Sequence, residues 1–163
     1  MQKKKQRAKF GNLPRMYNFS LNPYPELKFN SCPHCEKKTG QRTLPLIIRI
    51  KPAQFVVMNY KNRYCKHCDS LIAHKHEIEE YLVSTFSKNV PEIIGNEYLV
   101  FGSIEKKMWQ ESKKNPAKSF DIREHAHDFK SYEEIRMTMG GWFKKGTTPP
   151  VMKPPASEYW VKK

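Results

Sequence analysis

Four cysteines, arranged as Cys32-Pro33-His34-Cys35 and Cys65-Lys66-His67-Cys68, are the residues whose type and spacing specify chemistry most directly. A Cys-x-x-Cys turn aims two sulfurs at one point, and two such turns complete the tetrahedral shell favoured by Zn²⁺. All four cysteines of the 163-residue chain are used, so no thiol is left over. The pattern predicts one structural zinc ion held by Cys32, Cys35, Cys65 and Cys68. The competing readings are a redox dithiol pair, two disulfides, or iron in place of zinc. Redox pairs usually open a helix after a strand and rarely come as two matched pairs. Four thiolates also close the coordination shell, so the ion is expected to fold the chain and not to catalyse.

Other catalytic patterns are incomplete. The zinc deaminase signature needs a proline directly before a Cys-x-x-Cys, and neither pair has one. His76-Glu77-Ile78-Glu79-Glu80 begins like a metalloprotease helix but has glutamate where the second histidine belongs. No catalytic residues are assigned. Six histidines fall as His34/His67, His74/His76 and His125/His127. The first two read as turn residues, and each later pair, two apart on a helix, points apart. A second metal site, or an enzyme site among the later four, is the less favoured alternative.

The elements that position the thiols come next. The 29 residues between Cys35 and Cys65 contain Thr43–Ile50, with Leu44, Leu46, Ile48 and Ile50 on one face. Gln54–Tyr60 follows, again β-branched and aromatic, and Lys51-Pro52-Ala53 between them suits a turn. With these features residues 30–70, about a quarter of the chain, resemble a zinc ribbon: two metal-bearing knuckles joined through a small antiparallel sheet. The resemblance implies a metal and a small fold but no single function. Ribbon knuckles often carry glycine after the second cysteine, whereas Glu36 and Asp69 stand there in this chain. The following helix and later α/β segment are also similar to uncharacterised bacterial proteins with a zinc ribbon near the N-terminus.

Beyond the module, Asp69 and Ser70 predict the cap of a helix from about Leu71 to Ser87. Glu97–Met108 opens as a strand, Ser119–Phe129 has helical spacing, and Tyr132–Met139 alternates. Trp142 is expected to anchor the start of the tail. The expected fold class is α+β: a zinc-ribbon-like antiparallel module (residues 30–70) packed on a small α/β body (71–143). A basic aromatic arm (1–29) and a Pro-rich basic tail (144–163) flank them.

Lys and Arg number 30 against 16 Asp and Glu, a formal charge of +14. The excess is uneven. Residues 1–31 hold seven basic residues and one acid, and 32–70 hold eight and two. Residues 71–104 hold two and five. Such segregation favours a polyanionic partner. The expected nucleic-acid contacts are Lys3, Lys4, Lys5, Arg7 and Lys9 on the arm, with Phe10, Tyr17 or Phe19 able to stack on bases. On the zinc module they are Lys37, Lys38, Arg42, Lys61, Arg63 and Lys66. DNA and RNA are not distinguished, and a protein-adaptor role is the alternative. No apolar run approaches the roughly 18 residues of a membrane span, and no apolar stretch follows the basic N-terminus. No membrane partner is therefore expected, and an intracellular, cytoplasmic location is.

Overall fold

The computed structural model describes residues 9–115 and 121–162. Lys3, Lys4, Lys5 and Arg7 lie outside them. The fold is mixed α+β. Its strands are β1 (Asn18–Asn22), β2 (Gly40–Ile50), β3 (Gln54–Cys65), β4 (Ser70–His74), β5 (Tyr98–Ile104), β6 (Ala126–Asp128) and β7 (Ser131–Glu134). Two helices, α1 (Lys75–Phe86) and α2 (Lys106–Lys114), interrupt the series. The strands form one sheet in the order β6-β5-β2-β3-β4-β1-β7.

The β2–β3 hairpin is the backbone of this sheet. Its register pairs Ile50 with Gln54 at the turn and Gly40 with Tyr64 at the open end. Alternation sorts the two faces, as period-two patterning requires. Leu46, Ile48 and Ile50 enter the main core with Phe19, Leu71, Val100 and the α1 residues Ile78, Leu82 and Phe86. Ile47 points the other way, into a smaller cluster with Ile104 and Ala126 that Phe10, Met108 and Ile122 cover. Pro45 sits one residue before β5 begins to pair at Leu46, the kind of boundary where a strand tolerates the lost donor.

The sheet's two edge strands, β6 and β7, are consecutive in sequence. The amides of the intervening Phe129 and Lys130 donate to the carbonyls of Phe101 (2.9 Å) and Tyr17 (2.7 Å). Those bonds draw the edges together and curl the sheet around the main core. Phe19 and Phe129 stack inside the curl at 4.8 Å between ring centroids, and Phe19 and Tyr132 at 5.6 Å.

Several elements differ from the sequence expectation. The helix expected from Leu71 begins at Lys75, because Ser70–His74 is strand β4 between β3 and β1. Leu71, Ile72 and Ala73 are all buried, on both faces. A strand buried on both sides makes the same short apolar run as a buried helix. The expected helix at Ser119–Phe129 is, over its described part, a 3-10 turn (Ile122–His125) followed by β6. Residues 119–120 of that expectation lie outside the described residues. The strand that opens the Glu97–Met108 segment is β5, and helix α2 takes up the end of that segment. Part of the expected extended arm is β1, which runs parallel to both β4 and β7.

The aromatic anchor of the tail is also reassigned. Trp142 is 90% exposed, so it anchors nothing. Trp160 is buried instead; its Nε1–H donates to the Asn96 carbonyl at 2.7 Å and its ring meets Tyr98 edge-on. These environments set opposite expectations for mutation. Phe19→Ala should destabilise the chain by about 3–5 kcal/mol through a cavity between two stacked rings. Trp142→Ala should change stability by less than about 0.5 kcal/mol. Urea unfolding of both variants measures the contrast.

Candidate metal centre

The two knuckles lie at the open end of the β2–β3 hairpin. Cys65 is the last residue of β3, and Cys68 directly precedes the Asp69–Ser70 entry into β4. The first knuckle precedes β2 and closes on itself. The Cys32 amide donates to the Lys37 carbonyl (2.8 Å), and the Glu36 amide donates back to the Cys32 carbonyl (2.9 Å). Ser31 and Lys38 form an antiparallel bridge around the turn. Local hydrogen bonding thus presents one sulfur pair, and the end of the hairpin presents the other.

All four Sγ atoms lie within 4.8 Å of one another. Cys32 Sγ is 3.9 Å from Cys68 Sγ, and Cys35 Sγ is 3.5 Å from Cys65 Sγ. A tetrahedron of thiolates with metal–sulfur bonds of about 2.3 Å has edges of about 3.8 Å. A disulfide requires about 2.05 Å, so these are four free thiols. The set fits a metal ion, and among the described residues it is the one cluster of three or more candidate ligands. Backbone donors face the sulfurs: the His34 amide at 3.4 Å from Cys32 Sγ and the Cys68 amide at 3.5 Å from Cys65 Sγ.

Glu36 and Asp69, where ribbons often place glycine, adopt the left-handed backbone that position needs, with φ of 66° and 52°. Asp69 offsets the strain with its side chain. It accepts from the Tyr64 hydroxyl at 2.8 Å and from Lys130 Nζ at 3.0 Å. Glu36 is exposed.

The histidines do not join the cluster. His34 Nε2 lies 2.6 Å from Glu133 Oε1, and His67 Nδ1 lies 3.2 Å from Lys37 Nζ. His74 is held by Asn22 at 3.0 Å, His125 by Glu105 at 3.1 Å, and His127 by the Pro14 carbonyl at 2.8 Å. Burial holds His74 below the ordinary imidazole value.

No family model matches this chain, and no curated protein or solved structure matches it.

The basic residues expected to touch nucleic acid separate into two groups. Arg42 Nη1 donates to the Tyr17 hydroxyl at 3.0 Å, with its guanidinium 4.1 Å over the Tyr64 ring. Arg63 is spent on Thr39, through Nε to Oγ1 (3.1 Å) and Nη2 to the carbonyl (2.8 Å). Lys9, Lys37, Lys38, Lys61 and Lys66 are exposed, as is Arg42, but among the described residues Lys9, Lys38, Lys61 and Lys66 form no side-chain bond to the fold of the kind Arg42 makes. Lys37, Lys38 and Lys66 belong to the knuckles, Lys61 faces Thr43 across the hairpin, and Lys9 adjoins Phe10 at the smaller cluster. Sequence reading passed over Arg15, Arg49, Phe55 and Leu99, which line a concavity on the outer face of the sheet. The available signal was alternation. Arg49 and Phe55 fall out of phase with the core positions of β2 and β3.

Without a cation the thiols differ sharply. Burial raises Cys32, and burial first among several causes pushes Cys68 up to about 12. The Lys37 backbone N–H is the main cause that lowers Cys35 to about 7. Cys32 and Cys68 are therefore protonated near neutral pH, and a bound cation must displace both protons. Affinity for the metal should fall by at least about 100-fold for each pH unit lowered through the neutral range, those two protons being displaced and a further one wherever Cys35 is protonated. Competition against a chelator over that range measures the slope, and a pH-independent affinity would contradict coordination by these thiols. The backbone of the knuckles makes a second test. Glu36→Gly should raise the stability of the metal-loaded protein by up to about 1 kcal/mol, since glycine accepts positive φ freely. Asp69→Gly should give no gain, because it also removes the bonds to Tyr64 and Lys130.

Proposed function

We propose that the chain is a zinc-stabilised nucleic-acid-binding protein that performs no chemistry at its metal. Zinc is the ion that a near-tetrahedral set of four thiols suits best, and four sulfurs leave no position for water or substrate. The ion would be structural, clamping the open end of the β2–β3 hairpin. The observation that carries the binding reading is the set of exposed lysines on and beside that clamp: Lys37, Lys38, Lys61 and Lys66. They stand on a rigid scaffold, so their charges form a fixed surface and not a solvated tail. Lysines of this kind contact phosphates and carry little sequence information, so binding would be weakly specific. Arg42 and Arg63 support the scaffold.

Two measurements test this reading. Metal analysis of the purified protein should find one zinc per chain. Fluorescence anisotropy with short DNA and RNA, across a salt series, should show affinity falling with a log–log slope of about −0.9 per neutralised duplex phosphate. Replacing Lys37, Lys38, Lys61 and Lys66 by glutamine should make that slope shallower while leaving the metal content unchanged. Absence of binding at low salt by folded, metal-loaded protein would sink the reading and favour a protein-adaptor role.

A further inference from the structure

A second feature lies on the outer face of the sheet, toward the turn of the β2–β3 hairpin. Arg49 of β2 is paired with Phe55 of β3 on one side and Leu99 of β5 on the other. Cross-strand partners point to the same face, so the three side chains sit together. Phe55 is 42% exposed and Leu99 40%, high values for large apolar residues adjoining one another. Phe10 stacks on Phe55 at 5.5 Å and meets Phe101 edge-on at 5.1 Å. These side chains border a concavity of about 190 Å³. That is below the roughly 300–1,000 Å³ of drug-sized sites, and its aromatic walls suit one planar ring.

The concavity lies at a seam in the curled sheet. β6 pairs with β5 only from Gly102 to Ile104, and β7 pairs only with β1. The first half of β5 therefore has no strand beyond it among the described residues, and Phe129 and Tyr132 show through the gap as part of the lining.

Charge selects the kind of ring. Arg15 and Arg49 stand at the rim, and Asp128 is the lining acid. Asp128 is buried, and its two oxygens already accept from the Phe10 amide (2.8 Å) and the Gly11 amide (2.7 Å). Gly11 is required for that contact, since a Cβ there would lie 2.2 Å from the Ala126 carbonyl oxygen. The acid is thus occupied in holding Phe10 as a wall, and Arg49, which is exposed, is left facing outward. A partner protein's aromatic side chain brings no anion beside its ring, whereas a nucleotide carries a phosphate one sugar away. The residues directly preceding Phe10 include Lys3, Lys4, Lys5, Arg7 and Lys9, so the chain's most basic stretch is covalently joined to this wall.

We infer that this concavity takes an unpaired base of single-stranded nucleic acid, with Phe55 as the stacking surface, Phe10 bracing it from between Phe55 and the Arg123 guanidinium, and Arg49 on the adjoining phosphate. The inference deepens the nucleic-acid reading and rests on it, while placing the base-contacting site away from the metal module.

The test uses the full-length, metal-loaded protein and fluorescein-labelled oligouridylate and oligothymidylate of about ten nucleotides. Phe55→Ala should weaken binding by between about 5-fold and 150-fold, the range for loss of one base–aromatic stack. Arg49→Gln should make the single-strand salt slope shallower by about 0.7. Phe55→Trp should keep the affinity and add a tryptophan signal, beyond that of the native tryptophans, that is quenched by the oligonucleotide. Thermal unfolding of each variant separates a lost contact from a lost fold. Duplex of the same length should bind more weakly than single strand and be insensitive to Phe55→Ala. If the protein binds single strands but Phe55→Ala and Arg49→Gln behave as wild type and the Phe55→Trp signal is not quenched, the pocket proposal fails while the nucleic-acid reading stands. If the wild-type protein binds neither single strand nor duplex, both fail together.

Discussion

Four sulfurs held within 4.8 Å of one another are the constraint around which this molecule is organised. As thiolates they repel strongly at such separations, and as thiols they offer only weak hydrogen bonds. A cation would resolve the conflict, and the backbone around them is shaped to supply one with ligands. One sulfur pair comes from a self-closed turn before β2, the other from the end of β3. Joining them closes the open end of the hairpin and fixes where β4 begins. β1 then pairs with β4, and β7 with β1, so half of the sheet is built outward from the clamp.

That dependence explains which parts were legible in the sequence. The cysteine spacing, the alternation of β2 and β3 and the turn at Lys51–Ala53 are local signals, and each corresponds to an observed feature. β4 was misread because Leu71, Ile72 and Ala73 are buried on both faces, which erases periodicity. β1 was hidden for a different reason. It lies parallel to β4, some fifty residues away, and to β7, more than a hundred residues away, so nothing adjacent in sequence marks it. α2 is short and nearly all polar, and Met108 alone ties it to the smaller cluster. Of the binding candidates, the thiols were readable from spacing. The outer-face concavity was not, because its walls come from the arm, β2, β3 and β5, and the curl of the sheet brings them together.

The positive charge is likewise less uniform than the composition suggests. Arg42 and Arg63 use what a guanidinium does best: a flat face laid on tyrosine and a fork of donors closed on one threonine. Such interactions engage both charges within the structure, although Arg42 stays exposed and Arg63 half-buried. The lysines around the knuckles carry compact charges on flexible stems, which suit phosphates at variable positions. Counting basic residues therefore overstates the surface available to a polyanion, because some of them are already engaged within the structure.

The hairpin also sets a distance. Gln41, beside the metal module, and Arg49, at the aromatic concavity, lie eight residues apart on β2. At about 3.3 Å per residue that separation is roughly 26 Å. A rigid strand keeps it constant, so on the proposed reading a single nucleic-acid strand reaching both regions would bind the second at an effective concentration set by its own length. Ligands too short to span the strand engage one region and gain nothing from the other. The same geometry would make a metal bound by the four cysteines a remote support for the concavity. It aligns β2 with β3 at one end, while Arg49, Phe55 and Leu99 keep their register at the other through pairing with each other and with β5. On the proposed reading, affinity for long strands would then depend on the clamp far more than occupancy of the concavity would, because only the long strand needs both ends of the hairpin in place.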